Sequence, residues 1–353
     1  MATQLMKPTR LPPLPSISDI VRLYRLRAKK ELSQNFLLDM DVCRKFSRTA
    51  GKLDGAYVFE VGPGPGGITR ALLEQNVAKL IVVEKDRRFL PGLELLADAS
   101  RGRMEIVHGD VLNYDFNPAS FPKHAARSWY DSPPNVFVFG NLPFNIATPL
   151  IIRFLRAMSE RRGPFVYGRT KLCLTFQKEV GDRMIAPIMG SQRCRLSPIC
   201  QYISDVKQSF IIKGMAFVPK PEVDAAVMLF TPLDDPKIKL HFDLVEKFCR
   251  HMFHYRRKYC VKGVQTLFPE SMEEELANEV LRRARVNPRI PCTKISIEEI
   301  RDMCHVYYDI CKRHPGMFYY DYRTKRVPLE DLVAEGLLFP PEYAFQDEFK
   351  DTL

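Results

Sequence analysis

Short apolar runs alternate with helix-like segments through the first 140 residues. The runs are 56–61, 79–84, 104–110 and 136–140. Apolar, β-branched and aromatic residues of this kind suit strands buried in a sheet. Between the runs, 68–75 and 89–97 carry apolar residues at helical spacing. This order predicts an α/β fold with a mostly parallel sheet and helices on both faces. In such sheets ligands sit beyond the carboxyl ends of the strands. Gly62, Glu84, Asp110 and Asn141 fall at those ends, one per strand. Their convergence points to a site more strongly than any one of them does.

The pattern changes at Asp234-Asp235-Pro236, a linker-like break, and helical spacing follows at 242–251 and 272–285. The expected division is a basic N-terminal arm over 1–30, a sheet domain over 31–235, and a smaller helical domain over 236–353 with an acidic tail. Two domains also suit a chain of 353 residues that is 46% hydrophobic. No run approaches the roughly 18 apolar residues of a membrane span, so no membrane is expected among its partners. A monomer is expected.

The net charge of +11 is unevenly placed: from Leu329 on, seven acids stand against Lys350 alone, leaving +17 on residues 1–328. Such an excess suits a polyanion, through counterion release. The run Arg250-His251-Met252-Phe253-His254-Tyr255-Arg256-Arg257-Lys258 mixes cations with aromatics as RNA-backbone contacts do, or else forms a solvated helix face. Arg256, Arg257 and Lys258 are its candidate contacts. Nine cysteines without Cys-x-x-Cys pairs argue for a reducing compartment. Cys304, His305, Cys311 and His314 match no standard zinc spacing, so no metal is expected. Residues 1–30 hold seven bases and one acid, Asp19. They read as a mitochondrial presequence, or as an ordered helix that helps hold nucleic acid. Cleavage within 11–15 would satisfy both.

Two motifs carry chemistry. Gly62-x-Gly64-x-x-Gly67, with Glu84 at the end of the next strand, fits a nicotinamide cofactor or S-adenosylmethionine. Pro63 and Pro65 remove backbone N–H donors where a pyrophosphate would need them, which favours S-adenosylmethionine. Glu84 can accept from both ribose hydroxyls and Asp110 from the adenine amine. Asn141-Leu142-Pro143-Phe144 supplies a side-chain carbonyl and a main-chain carbonyl for an exocyclic amine, a fixed turn, and a ring on which a base can stack. Phe217 is a candidate for the base's other face, or a packing aromatic.

With these residues, the chain resembles the ribosomal RNA adenine N6,N6-dimethyltransferase family, and its animal mitochondrial branch in particular. Further similarity runs through Leu32-Ser33-Gln34-Asn35-Phe36-Leu37, Phe176-Gln177-Lys178-Glu179-Val180 and Phe217-Val218-Pro219-Lys220-Pro221-Glu222-Val223-Asp224, covering roughly 31–260. The resemblance implies a Rossmann-like methyltransferase sheet. It implies S-adenosylmethionine held by Gln34, Leu37, Gly62, Glu84, Lys85, Asp110, Val111 and Asn141. It also implies two adjacent adenosines in a hairpin loop near the 3′ end of mitochondrial small-subunit ribosomal RNA, modified in the matrix within the assembling small subunit. Bacterial members have Tyr where Phe144 stands, so any hydroxyl contact is absent. Two other readings stay open. One is an amino-methyltransferase acting on DNA or large-subunit RNA. The other is a nucleic-acid-binding factor, working with the mitochondrial transcription machinery or in ribosome assembly, whose methyl transfer is dispensable.

Overall fold

A computed structural model describes residues 11–28, 34–323 and 327–340. Two compact units emerge. One holds the described residues up to Gly181 together with Val206–Asp234, and the other holds Asp182–Asp205 and the described residues from Asp235 on. Residues 182–205, expected within the sheet domain, therefore group with the helical unit. The first ten residues of the expected presequence and the tail beyond Pro340 lie outside the described residues.

In chain order the elements are α1 (Ile17–Leu23), β1 (Phe36–Leu37), α2 (Met40–Ser47), β2 (Tyr57–Val61), α3 (Gly67–Leu73), β3 (Lys79–Glu84), α4 (Leu90–Ala99), β4 (Met104–His108), β5 (Val136–Gly140) and α5 (Phe144–Ser159). They continue with β6 (Lys171–Gln177), α6 (Lys178–Met184), α7 (Leu196–Gln201), β7 (Ser204–Ile212), β8 (Phe217–Val218) and β9 (Ala225–Pro232). The helices α8 (Phe242–Met252), α9 (Cys260–Gln265), α10 (Glu273–Arg283), α11 (Ile297–Arg313) and α12 (Leu329–Ala334) complete the chain.

Seven strands form one sheet in the order β4-β3-β2-β5-β6-β9-β7. The pairs from β4 through β6 are parallel and β9 runs antiparallel to β6. All five residues of β5 are buried, as are the last four of β2. Burial of every position, rather than alternate ones, is what continuous apolar runs produce when both sheet faces are covered. The segment before β1 is part of this unit. Ser16 and Asp19 form a capping box for α1, Ile17 and Ile20 are buried, and Arg70 donates to the Pro15 carbonyl at 2.7 Å.

The helical unit is built around Phe248, Phe268 and Tyr307. Both phenylalanine rings lie 5.9 Å from that of Tyr307. Helix α11 starts with a second capping box, Ser296 and Glu299. Among the described residues no helix is long and apolar enough to cross a membrane, and no group of three or more His, Cys, Asp or Glu is placed to hold a metal ion.

Candidate active site

Strand register brings the expected residues level with one another. Val61 pairs with Val83, Glu84 with His108, and Gly140 with Leu174. The residues that follow those pairs therefore leave the sheet at one edge. Chain order reverses between β2 and β5, the switch point at which open α/β sheets hold ligands. A cleft of about 530 Å³ opens there, walled by Gln34, Leu37, Gly62, Glu84, Asn141 and Pro143 among others. A second cavity, of about 600 Å³, shares Gln34, Glu84 and Pro143 with it and adds Lys85, Asp110 and Val111. All eight residues expected at the cofactor line one cavity or the other.

The glycine loop is shaped by its own chemistry. Gly64 sits at φ +55°, a left-handed conformation that disfavours side chains. Its N–H thereby turns to Glu84 Oε2 at 3.0 Å. The Gly66 N–H goes to the Pro63 carbonyl at 3.1 Å, and Pro63 and Pro65 have none to give. Residues 63–66 thus leave no backbone donor for a phosphate. At Gly67 a Cβ would stand 2.6 Å from the Leu37 carbonyl oxygen, so only glycine lets α3 approach β1.

Glu84 is buried, which pushes its carboxyl above the ordinary range. Its other oxygen accepts the Asp86 N–H at 2.7 Å. Asp86 in turn accepts from Gln34 Nε2 at 3.1 Å and from Arg88, whose bond holds the Asp86 carboxyl at about 2. This clamp orients the Gln34 amide. Asp110 takes Lys85 Nζ at 2.8 Å and the Leu112 N–H at 2.9 Å, and the Lys85 bond keeps it ionised below the usual range. Arg153, from α5, donates to the Val111 and Tyr114 carbonyls and so fixes the wall beside Asp110.

Asn141 is held at both ends. Its Nδ2 donates to the Asn35 carbonyl at 3.0 Å, and its Oδ1 accepts from the Thr175 hydroxyl at 3.0 Å. Leu142 is buried and Pro143 stands immediately before α5. Phe144, the first residue of α5, is half-buried against the core cluster and lines neither cavity.

Phe217 departs from its expected stacking role. It is 3% exposed, pairs with Leu37 through β8, and belongs to the core cluster, so its ring packs inside the unit. Arg256, Arg257 and Lys258 fall in the helical unit, between α8 and α9. Arg256 donates to the Ser191 carbonyl at 2.6 Å, while Arg257 and Lys258 are exposed.

Sequence reasoning overlooked Asp86, Arg153 and Thr175. Asp86 follows the strand-end acid by two residues, a signal that was present. Thr175 is a lone hydroxyl in the apolar run 172–176, readable only once Leu174 is known to pair with Gly140. Glu60, one residue inside β2 from the loop, is fully buried, and burial pushes its carboxyl up to about 8.

Comparison with known proteins agrees with this geometry. The family model for ribosomal RNA adenine dimethylase matches residues 25–309. The chain is 51% identical over 326 residues to "Dimethyladenosine transferase 1, mitochondrial" of Xenopus tropicalis, covering 92% of this chain and 94% of the relative. It is 51% identical over 316 residues to the protein of that name from Homo sapiens, covering 90% and 91%. Among solved structures, a dimethyladenosine transferase from Plasmodium falciparum superposes with a TM-score of 0.59 at 19% identity, covering 78% of this chain and 97% of that one. The 23S rRNA methyltransferase ErmE gives 0.53 at 19%, covering 77% and 99%, which supports the shared fold. A strand-end cleft with an amide fixed at its mouth, and a family match running through both units, lead to one conclusion: this chain belongs to the ribosomal RNA adenine dimethylase family.

Proposed function

We propose that the chain dimethylates the N6 amines of two adjacent adenosines in a hairpin loop near the 3′ end of mitochondrial small-subunit ribosomal RNA, using S-adenosylmethionine in the matrix. The observation that carries this reading is the pair of adjoining cavities, which gather the glycine loop, Glu84, Asp110 and Asn141. A loop whose backbone donors are absent or already bonded suits a donor without phosphates. Relatives half identical to this chain are named mitochondrial dimethyladenosine transferases.

Glu84 takes the ribose hydroxyls on the lone pairs that Gly64 and Asp86 leave free. Asp110 and Val111 flank the adenine of the cofactor. Gln34, Leu37 and Gly62 enclose the rest, and Lys85 keeps Asp110 charged. Bound there, S-adenosylmethionine supplies an electrophilic methyl group. The protein's own task is to prepare the nitrogen that receives it. An adenine N6 lone pair is delocalised into the ring and is a poor nucleophile. Hydrogen bonds from N6–H to Asn141 Oδ1 and to the Leu142 carbonyl draw the nitrogen towards tetrahedral geometry and aim its lone pair at the methyl. No strong base is needed, because the proton can leave after the methyl arrives. Pro143 fixes the turn, and Phe144 offers stacking for a base that has left its own stack. Arg256, Arg257 and Lys258 contact the RNA backbone.

The test has two arms. Calorimetry should detect S-adenosylmethionine binding that NADH does not compete with. Mass spectrometry of the small-subunit RNA should find dimethyladenosine in cells with the protein and none in cells without it. Unchanged RNA in both cell lines would defeat the substrate assignment. Equal activity on duplex DNA would defeat the RNA reading.

A further inference from the structure

We propose that Thr175 is a positioning residue for methyl transfer, setting which end of the Asn141 amide faces the target amine. It rests on the amine-methylating reading above and adds a residue to it.

Thr175 is completely buried in β6, inside an otherwise apolar stretch. A buried hydroxyl in such a run is costly unless bonded, and this one is bonded in both directions. Its oxygen accepts the Leu142 N–H at 3.0 Å, and its proton goes to Asn141 Oδ1, also at 3.0 Å. The hydroxyl has a single proton. With a main-chain N–H on one lone pair of its oxygen, that proton is given to Asn141 Oδ1. The far end of the amide agrees, since Asn141 Nδ2 donates to the Asn35 carbonyl at 3.0 Å. Turning the amide over would place oxygen against the Asn35 carbonyl and would remove the acceptor from Thr175. Two independent bonds therefore hold one orientation.

The consequence is chemical. One lone pair of Oδ1 is occupied by Thr175 and one remains for the incoming amine. Were the amide reversed, an N–H donor would meet the N–H donors of adenine N6, and the nitrogen could not be drawn out of plane. Leu142 is coupled to the same hydroxyl, so Thr175 sets the geometry of both acceptors that the amine uses. The demand is greatest in the second transfer. An unmethylated amine can bond to two acceptors, whereas a monomethylated one has a single N–H left. Alignment then depends on one acceptor being correctly turned.

The experiment compares wild type, Thr175→Val and Thr175→Ser on a synthetic hairpin, measuring kcat, KM, S-adenosylmethionine affinity and the ratio of mono- to dimethylated adenosine. Valine keeps the shape and loses the hydroxyl. It should lower kcat by about tenfold to a hundredfold, as small misplacements of reacting groups do. KM and cofactor affinity should stay near wild type, and monomethylated product should accumulate. Serine should restore both rate and product ratio. Should the valine protein fail to fold, Thr175→Cys, with its weak donor, should show the same shift in product ratio. A valine or cysteine protein with wild-type kcat and product ratio would overturn the inference. So would one in which cofactor affinity falls in step with kcat and serine does not rescue. A wild-type protein inactive on the hairpin would instead overturn the substrate reading.

Discussion

The sheet unit and the helical unit both bury ionisable side chains, and they leave them in different states. In the helical unit those groups are turned towards the chain itself. Lys247 donates to the Phe318 and Tyr320 carbonyls, Arg193 to those of Ala186 and Ile295, and His251 Nδ1 meets Thr266. In the sheet unit Glu84 borders a cavity, and one oxygen of Glu60 is buried without a partner. Buried polar groups normally find partners. The helical unit uses these groups to close its loops, although Arg193 Nε and His251 Nε2 stay without a partner, whereas Glu84 keeps hydrogen-bonding capacity beside open space. Burial of charge does not mark a site by itself. What marks it is where the remaining valence points.

Three substitutions test that contrast, beginning with the largest effect. Asn141→Ala removes the acceptor offered to the amine. It should cut kcat by roughly 10²–10³-fold, a loss well beyond the about 1–3 kcal/mol of stability that goes with leaving the buried Thr175 hydroxyl proton unpaired. An active Asn141→Ala enzyme would mean that the strand-end groups are as structural as those among the helices. Lys247→Met should do the reverse. Burial pushes the Lys247 amine down to about 8, and even when neutral it keeps two donors for its two carbonyls. Taking this donor from both carbonyls should cost about 2–4 kcal/mol in urea unfolding, with S-adenosylmethionine affinity unchanged. Loss of cofactor affinity without loss of stability would break the contrast. Glu84→Gln keeps the shape of the side chain and removes the charge. Cofactor affinity should fall roughly tenfold to a hundredfold by calorimetry, the scale of hydrogen bonds to charged groups.

Much of this was legible in the residues because the sheet repeats one rule. Each apolar run of 56–61, 79–84 and 136–140 is buried almost throughout and ends at a polar residue or glycine, so the strand ends could be named before their neighbours were known. Helix limits moved by only a few positions, as in α3, expected over 68–75 and found over Gly67–Leu73. The failures have one cause, which is that register and packing are three-dimensional. Phe217 looks the same in sequence whether its ring faces a base or, as here, the core. Thr175 becomes meaningful only beside Asn141. Residues 182–205 carry no local mark of the unit they join. Arg153 reads as an ordinary helix cation until its guanidinium is seen to hold the Val111 loop.

The finest test of the contrast is the response of each unit to pH. Glu60 has its carboxyl pushed up to about 8, first by burial and then by the nearby charge of Glu84. Between pH 4.5 and 8 the folded state therefore binds a proton that the unfolded chain has released. That stabilisation is complete below about pH 4.5 and is lost as pH rises through 8. His251 has the opposite sign. Burial, followed by Lys247 and Arg250, drives its imidazole down to about 3, so the fold keeps it neutral while the unfolded chain takes up a proton below about pH 6.5. Its contribution is complete above 6.5 and is lost as pH falls towards 3. The sheet unit should thus lose stability as pH rises from 4.5 to 8, and the helical unit as pH falls from 6.5 towards 3. Glu60→Gln should flatten the fall in urea-unfolding stability between pH 4.5 and 8 by up to about one proton, and His251→Gln the acid slope between pH 6.5 and 3 by a similar amount. If neither slope moves, neither buried group sets the pH response of its unit. If Glu60→Gln flattens the acid limb instead, Glu60 is ionised in the fold, and the strand ends hold their charge as the helical unit holds Lys247.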